Sequence, residues 1–276
     1  MPSLEGPRAK IDRAREHAQA LDTESQAFIR SNPYRTTYGT DPNNGDHIWR
    51  VEVMRAPPMR LSILVGDVVH NLRSCLDHLV WQLSLTTTPA PYERAEFPIY
   101  SVKFDPKRNE CFDKRGREKL RDVPILAQKI IESVQPYHMD ARRIWPYLHL
   151  ALIHEISNTD KHRIVLIPMP SVAGFNLPPS AVVGFQSQGP LLPLGLNLVP
   201  TGEDGYEVFR LPGTVALSPQ EKEKVKFAFD VTVQTSETGK RCNASARDMM
   251  DMMCIALGDH ILPDFERFFT TYGPGF

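Results

Sequence analysis

One predicted helix carries a cluster of side chains that could do acid–base or phosphate chemistry. The segment 66–81 reads GDVVHNLRSCLDHLVW, and its polar members form a candidate catalytic set: His70, Asn71, Arg73, Asp77 and His78. A histidine can take a proton near neutral pH, and an arginine binds phosphate oxygens through its forked N–H groups. A neighbouring carboxylate or amide can orient the imidazole. The sequence therefore indicates a candidate site on this helix.

The polar half of this helix has an unusual composition. At about 100° per residue the apolar side chains gather into one band that must face the core. The band consists of Val65, Val68, Val69, Leu72, Leu76, Leu79, Val80 and Leu83. Solvated helix faces usually carry Lys and Glu, yet neither residue occurs between positions 61 and 92. Because buried polar groups need partners, we expect another helix or a second copy of the chain to cover the polar half.

A second polar cluster, NTDKHR at 158–163, supplies the candidate substrate-binding residues Asp160, Lys161, His162 and Arg163. We expect it to form a turn between a helix and a strand, where functional residues often collect. The lysine and the arginine could bind phosphate, and the histidine is a rival general base. The alternative is structural: Asp160 would pair with Arg73 and His162 would bond to the first cluster, which joins helix to sheet.

Metal and cofactor motifs give no support for a bound group. Histidines and carboxylates of the two clusters and of 154–158 could converge from two helices, and such a site stays an alternative. The sequence HEISN at 154–158, however, has Asn where the zinc motif HExxH needs its second histidine. The glycine-rich nucleotide motifs and the GxSxG motif do not occur. We therefore predict no metal and no cofactor.

Composition limits the partners that the chain could have. The formal net charge is −1, which argues against binding nucleic acid by bulk electrostatics. The basic segment 107–121, with seven basic and three acidic residues, is a local exception or a solvated loop. The 4 cysteines of the whole chain form no CxxC pair, and we expect a reduced, cytoplasmic protein. No apolar stretch approaches the about 20 residues that span a bilayer, so no membrane partner is predicted.

Periodicity places helices at both ends of the chain and strands between them. The predicted helices are 7–30, the long helix with the candidate site, 118–133, 145–157 and 243–269. The predicted strands include 47–54, 181–185, 206–211 and 225–233, and 31–46 has the composition of a linker. Pro263 should bend the last helix. The fold class is therefore α+β.

The domain prediction is a single domain, 1–276. Its helical part comprises about 7–160 and 241–270. The β-rich part, about 161–238, forms an antiparallel sheet inserted before the C-terminal helix. We expect the sheet to pack on the helices, because the final helix carries enough apolar surface to rejoin the first ones.

The spacing of Arg73 and His78, with four residues between them, resembles the arginine and histidine signature of HEPN domains. These domains are bundles of up-and-down helices, and their metal-independent members cut RNA at a composite site across a dimer. The resemblance implies that Arg73 stabilises phosphate and that His78 acts as the base. The two residues differ by about 140° around the helix, so a long arginine must reach a bridging phosphate or a dimer mate must contribute.

The chain as a whole resembles an uncharacterised bacterial and phage-associated protein family. The shared segments, in order, are GDVVHNLRSCLDHLVW, EFPI, VQPY and NTDKHR. This resemblance covers most of the chain and implies a coherent fold without naming an activity.

Two functions follow from these observations. The first is a cytoplasmic, HEPN-like endoribonuclease or RNA-binding protein, acting as a homodimer in phage conflict. The second is a non-catalytic binding or scaffold protein whose His, Arg and Asp cluster is a structural polar network. Burial separates them, because a nuclease needs Arg73 and His78 in a groove that solvent reaches, whereas a scaffold needs them buried and paired.

Overall fold

The computed structural model of the protein describes residues 1–106, 110–140, 145–162, 169–176, 199–200, 205–224, 226–232 and 245–270. In these residues the architecture is α+β, as the sequence predicts. None of the helices in these ranges is long and apolar enough to cross a membrane.

The helices are α1 (Glu5–Arg30), α2 (Met59–Leu85), α3 (Arg117–Lys119), α4 (Ile125–Ser133), α5 (Tyr147–His162), α6 (Pro219–Lys224) and α7 (Ala246–Ile255). The strands are β1 (Tyr34–Thr40), β2 (His47–Val53), β3 (Phe104–Asp105), β4 (Glu110–Cys111), β5 (Met169–Asn176), β6 (Val199–Pro200), β7 (Gly205–Leu211) and β8 (Lys226–Thr232). Shorter π and 3-10 segments are Phe112–Gly116, Pro136–His138, Ala256–Ile261 and Leu262–Phe268.

Helices α1 and α2 form an antiparallel pair at the centre of the helical layer. Arg60, at the start of α2, pairs with Glu24 late in α1, and Nδ1 of His17 lies 3.8 Å from Oδ2 of Asp67. The predicted apolar band of α2 is confirmed, since every member is at most 2% exposed. Helix α1 contributes the matching stripe Ile11, Ala14, Ala18, Leu21 and Phe28. Helices α5 and α7 both pack against α2.

The predicted helix 118–133 is broken into two. Pro124 is the N-cap of α4. Because a proline has no backbone N–H, it cannot make the hydrogen bond that a continuous helix would need at this position. Gln128 closes the break by donating from Nε2 to the carbonyl oxygens of Leu120 and Val123. The basic segment before the break is largely helical rather than a loop, and its cations pair with nearby acids, as Arg117 does with Asp113. Residues 107–109 lie outside the described part.

The turn predicted at 158–163 is wrong for 158–162, because α5 continues to His162. Asn, Thr and Asp are weak helix formers, which is why the sequence indicated a turn. Packing outweighs that weak preference: Leu150, Ile153 and Ile156 of α5 are fully buried.

The main sheet is antiparallel with the strand order β1-β2-β7-β6. Strand β2 is central, and its Trp49 pairs in register with Phe209 of β7. The predicted strands at 47–54 and 206–211 are confirmed, whereas the predicted linker 31–46 contains β1. The sheet thus combines a hairpin from before α2 with strands from after α5. It is therefore not confined to the β-rich part predicted at about 161–238.

Two smaller ladders complete the described strands. Strands β5 and β8 pair with each other, which confirms the strand predicted at 225–233, and β3 pairs with β4. The strand predicted at 181–185 lies outside the described residues.

The C-terminal segment keeps its predicted core face but not a uniform helical geometry. The residues predicted to return to the core are all buried: Met249, Met250, Met253, Leu257 and Ile261. Regular α geometry ends at Ile255, and a π segment and a 3-10 segment follow. Pro263 lies in the first turn of the 3-10 segment, beyond the point where the α-helix has already changed.

Candidate functional site

The best-defined part of the site is an ion pair on α2. Nη2 of Arg73 lies 3.0 Å from Oδ1 of Asp77, one helical turn later, and the arginine side chain is only 13% exposed. The same aspartate oxygen accepts the backbone N–H of Phe97 at 2.9 Å. Phe97 itself is fully buried. The pair therefore fastens the chain around Phe97 to one flank of α2.

The two histidines of the candidate set do not join this pair. His70 and His78 are exposed. A Cβ placed on Gly6 would lie 3.5 Å from Nδ1 of His78, so this imidazole rests near the start of α1, on the other flank of α2. Arg73 and His78 thus lie on opposite flanks of the polar half and do not form one groove within the described chain.

The remaining member of the set is tied to its own helix. Asn71 is 9% exposed, and its Nδ2 donates to the backbone oxygen of Asp67 at 2.8 Å. The carboxylate of Asp67 faces His17 of α1. The Asn71 side chain is therefore hydrogen-bonded to the backbone of its own helix. No described hydrogen bond joins it to His70 or His78.

The second cluster is only partly within the described residues. Asp160, Lys161 and His162 occupy the last turn of α5, but nothing is described of their side chains, and Arg163 lies outside. The pairing of Asp160 with Arg73 stays a prediction. One turn earlier, Nε2 of His154 lies 3.0 Å from Nδ2 of Asn158. Among the residues with described side chains, no three histidines, cysteines or carboxylates come together as a metal site.

The centre of the polar half of α2 is largely exposed in this chain, although the sequence predicts that another helix or a second copy covers this half. We define the α2 stripe as Met59, Ile63, Asp67, His70, Ser74, His78, Trp81 and Leu85. These residues follow one another at three- or four-residue intervals and lie within about 100° of arc. The stripe exposes large apolar side chains: Met59 is 65% exposed, Ile63 is 55% and Trp81 is 40%. The absence of Lys and Glu indicated a covered surface on this helix, but the exposed apolar residues Met59 and Ile63 were not singled out from the sequence.

A ring cluster at the start of α5 was also missed from the sequence. The rings of Trp145 and His149 have centroids 4.4 Å apart, and the ring of His260 lies 5.0 Å from that of Trp145. Burial lowers the pKa of His149. The cluster joins the start of α5 to the π segment after α7. Trp145 and His149 are only four residues apart, but His260 is too distant in sequence for spacing to place it beside them.

Comparison of the chain with protein-family models, curated proteins and solved structures gave no match. The functional argument therefore rests on geometry and residue chemistry.

Proposed function

We propose that this protein is a non-catalytic, homodimeric binding protein in which the Arg73–Asp77 pair is structural. The observation that carries the proposal is the burial of Arg73 together with its contact to Asp77, which also holds the N–H of Phe97. A phosphate-binding arginine must present N–H groups that the ligand can reach, whereas Nη1 of Arg73 is buried without a partner in the described part of the chain. This guanidinium is instead turned to a carboxylate of its own helix, as in a polar network that fixes packing.

The α2 stripe supports a second copy of the chain as the partner. A twofold axis near residue 72 would lay two α2 helices antiparallel, so that the same surface serves both copies. In that register Met59 faces the partner's Leu85, Ile63 faces the partner's Trp81, Asp67 faces the partner's His78, and His70 faces the partner's Ser74. Apolar residues thus meet apolar ones at both ends, and an acid meets a base between them. This self-complementarity gives the stripe an occupant without requiring any other protein.

The oligomeric state in solution tests the proposal. We expect the native protein to sediment as a dimer, and Ile63→Glu or Trp81→Glu to sediment as a monomer, because each places a charge against an apolar partner. Ile125→Glu is the matched control, since Ile125 is 68% exposed on α4, away from the stripe, and should leave the dimer intact. A monomeric native protein, or a dimeric Ile63→Glu variant, would overturn the proposal.

A second candidate is a HEPN-like endoribonuclease built on an up-and-down helical bundle and acting in phage conflict. One observation favours it: His78 is exposed on the α2 stripe. In the proposed dimer the partner's Asp67 would lie beside His78 and could orient its imidazole. His78 would take the proton of an RNA 2′-hydroxyl, whose oxygen would attack the adjacent phosphorus. The 5′-oxygen would leave and take up a proton from water, giving a cyclic phosphate and a 5′-hydroxyl, with Arg73 released from Asp77 to hold the phosphate.

Cleavage of total RNA separates the two candidates. The native chain is compared with His78→Ala and Arg73→Ala, with folding matched by circular dichroism. The binding protein that we propose predicts equal RNA profiles for all three chains. Cleavage by the native chain that both substitutions abolish would instead establish the nuclease. Retention of RNA without cleavage would assign RNA as the ligand of the binding protein.

A further inference from the structure

A pocket of about 370 Å³ lies in the groove between α1 and α2, beside the α2 stripe. Its lining consists of Arg13, Glu16, His17, Ala20, Arg60, Ile63, Leu64 and Asp67. Two of these residues, Ile63 and Asp67, also belong to the stripe. A second copy of the chain that covers the stripe would therefore lie over the mouth of this pocket.

The register of the proposed dimer determines which part of the partner lies over the pocket. The α2 residues of the lining fall between positions 60 and 67. With the twofold axis near residue 72, they face positions 77–84 of the partner. In that window, all of which the structure describes, the exposed residues are His78 and Trp81, and Trp81 is the large apolar one. The partner's Trp81 lies directly opposite Ile63, which lines the pocket.

The pocket has the volume and the apolar contacts that the indole ring of a tryptophan needs. Its volume is at the lower end of the range that small-molecule sites occupy, and a bicyclic ring is a ligand of that size. The side chains of Ala20, Ile63 and Leu64 form the apolar part of the lining. Trp81 is 40% exposed in the single chain, so it keeps apolar surface to bury against them.

Charged side chains of the lining suit the polar features of the same ring. Arg13 pairs with Glu16, and Arg60 pairs with Glu24. An arginine that is paired through one edge keeps its flat face for stacking on an aromatic ring, which is a cation–π contact. Glu16 contacts Arg13 through Oε2 and keeps Oε1 to accept the indole N–H, which needs a partner once it is buried.

We propose that each copy in the dimer inserts its Trp81 into this pocket of the other copy. Two symmetric contacts of this kind then hold the dimer together. The inference rests on the proposed homodimer and adds the residue and the pocket that supply most of its affinity. Tryptophan is enriched among the few interface residues that carry most of the binding energy, and these residues fill well-packed pockets that exclude water.

Filling the pocket from within the same chain tests the proposal, with sedimentation equilibrium as the measurement. Ala20→Phe places a ring where we expect the partner's indole. We expect this variant and Trp81→Ala each to raise the dimer dissociation constant by at least about thirtyfold, as the loss of such a residue does. The double variant should dimerise no more weakly than Ala20→Phe alone, because a filled pocket no longer receives Trp81.

Ala27→Phe is the matched control for the filled pocket. Ala27 is exposed on the same face of α1, two turns beyond Ala20, and does not line the pocket, so the dissociation constant should stay unchanged. A native dimer that Ala20→Phe does not weaken, or additive losses in the double variant, would overturn the insertion and leave the homodimer standing. A monomeric native protein would overturn both.

Tryptophan fluorescence gives a second readout that needs no substitution on α1. Dilution of the native protein through the dissociation of the dimer should move its emission to longer wavelength, because Trp81 passes from the pocket into water. Trp81→Phe keeps a ring for the pocket, so it should still dimerise but lose this shift. An emission that dissociation leaves unchanged would contradict the insertion.

Discussion

Arg73 and Asp77 form an ion pair one turn apart on α2, and Oδ1 of the aspartate is shared between the guanidinium and the backbone N–H of Phe97. One carboxylate oxygen thus joins a helix to a segment twenty residues further along the chain. The buried ring of Phe97 is held in the core by this contact.

Replacing Asp77 by Asn should destabilise the protein more than replacing Arg73 by Met. Asp77→Asn leaves a nearly buried arginine without its counter-charge, and we expect a loss of about 2 kcal/mol in the free energy of unfolding. Arg73→Met keeps the packing of the stem and leaves a carboxylate that is one-third exposed and still bound to Phe97, so about 1 kcal/mol is expected. Urea unfolding measures both.

An exposed arginine gives the control for this pair. Arg13→Met breaks a surface pair with Glu16 and should change the free energy of unfolding by about 0.5 kcal/mol or less. An Asp77→Asn variant as stable as the native protein would show that the pair is not structural.

Exchanging charges should test the register of the proposed dimer. Asp67→Lys alone places a cation opposite the partner's His78, and we expect the dimer dissociation constant to rise about tenfold, which corresponds to about 1.4 kcal/mol. His78→Asp alone should weaken the dimer similarly by opposing two carboxylates. The double variant should recover most of the affinity, as sedimentation equilibrium would measure. Additive losses in the double variant would exclude the antiparallel register.

His149 should make the stability of the protein depend on pH. Burial lowers its folded-state pKa below the ordinary value of 6.5, so the unfolded chain binds a proton first as the pH falls. The free energy of unfolding should therefore fall from about pH 7 downwards, until the pH passes the lowered folded-state pKa. His149→Phe keeps a ring against Trp145 and should remove this part of the slope.

His260→Gln is the comparison for the His149 experiment, because His260 belongs to the same ring cluster but is exposed. Its variant should keep the slope. Denaturant unfolding at a series of pH values gives both slopes, and an unchanged slope in His149→Phe would contradict the assignment.

Gly213→Ala should destabilise the sheet. A Cβ at Gly213 would lie 2.6 Å from the backbone oxygen of Gly45 in the β1–β2 turn, and backbone cannot move aside as a side chain can. We expect a loss of about 2 kcal/mol, as overpacking typically costs. Gly39→Ala is the matched control, because its Cβ would meet only the end of the Arg50 side chain at 3.1 Å. A thermal midpoint in Gly213→Ala equal to that of Gly39→Ala would disprove the close approach.

Local pattern predicted the helices of this protein better than its sheet. The apolar band of α2 follows from helical periodicity alone, and the spacing of Arg73 and Asp77 makes them neighbours on any helix. The contact of Asp77 with Phe97 depends on where a loop returns, which no spacing reveals. Strand β1 was missed because its sequence, YRTTYGT, has few buried residues, and its identity depends on pairing with β2.

The central position of β2 has a consequence for biosynthesis. A nascent chain emerging from the ribosome can form the β1–β2 hairpin and the α1–α2 pair early, but β7 is made only after most of the chain. Until then one edge of β2 is unpaired beside the bulky ring of Trp49, a surface that invites aggregation or chaperone capture. Truncated products that end before β7 should therefore be insoluble, whereas in chains that include β7 this strand pairs with the free edge of β2.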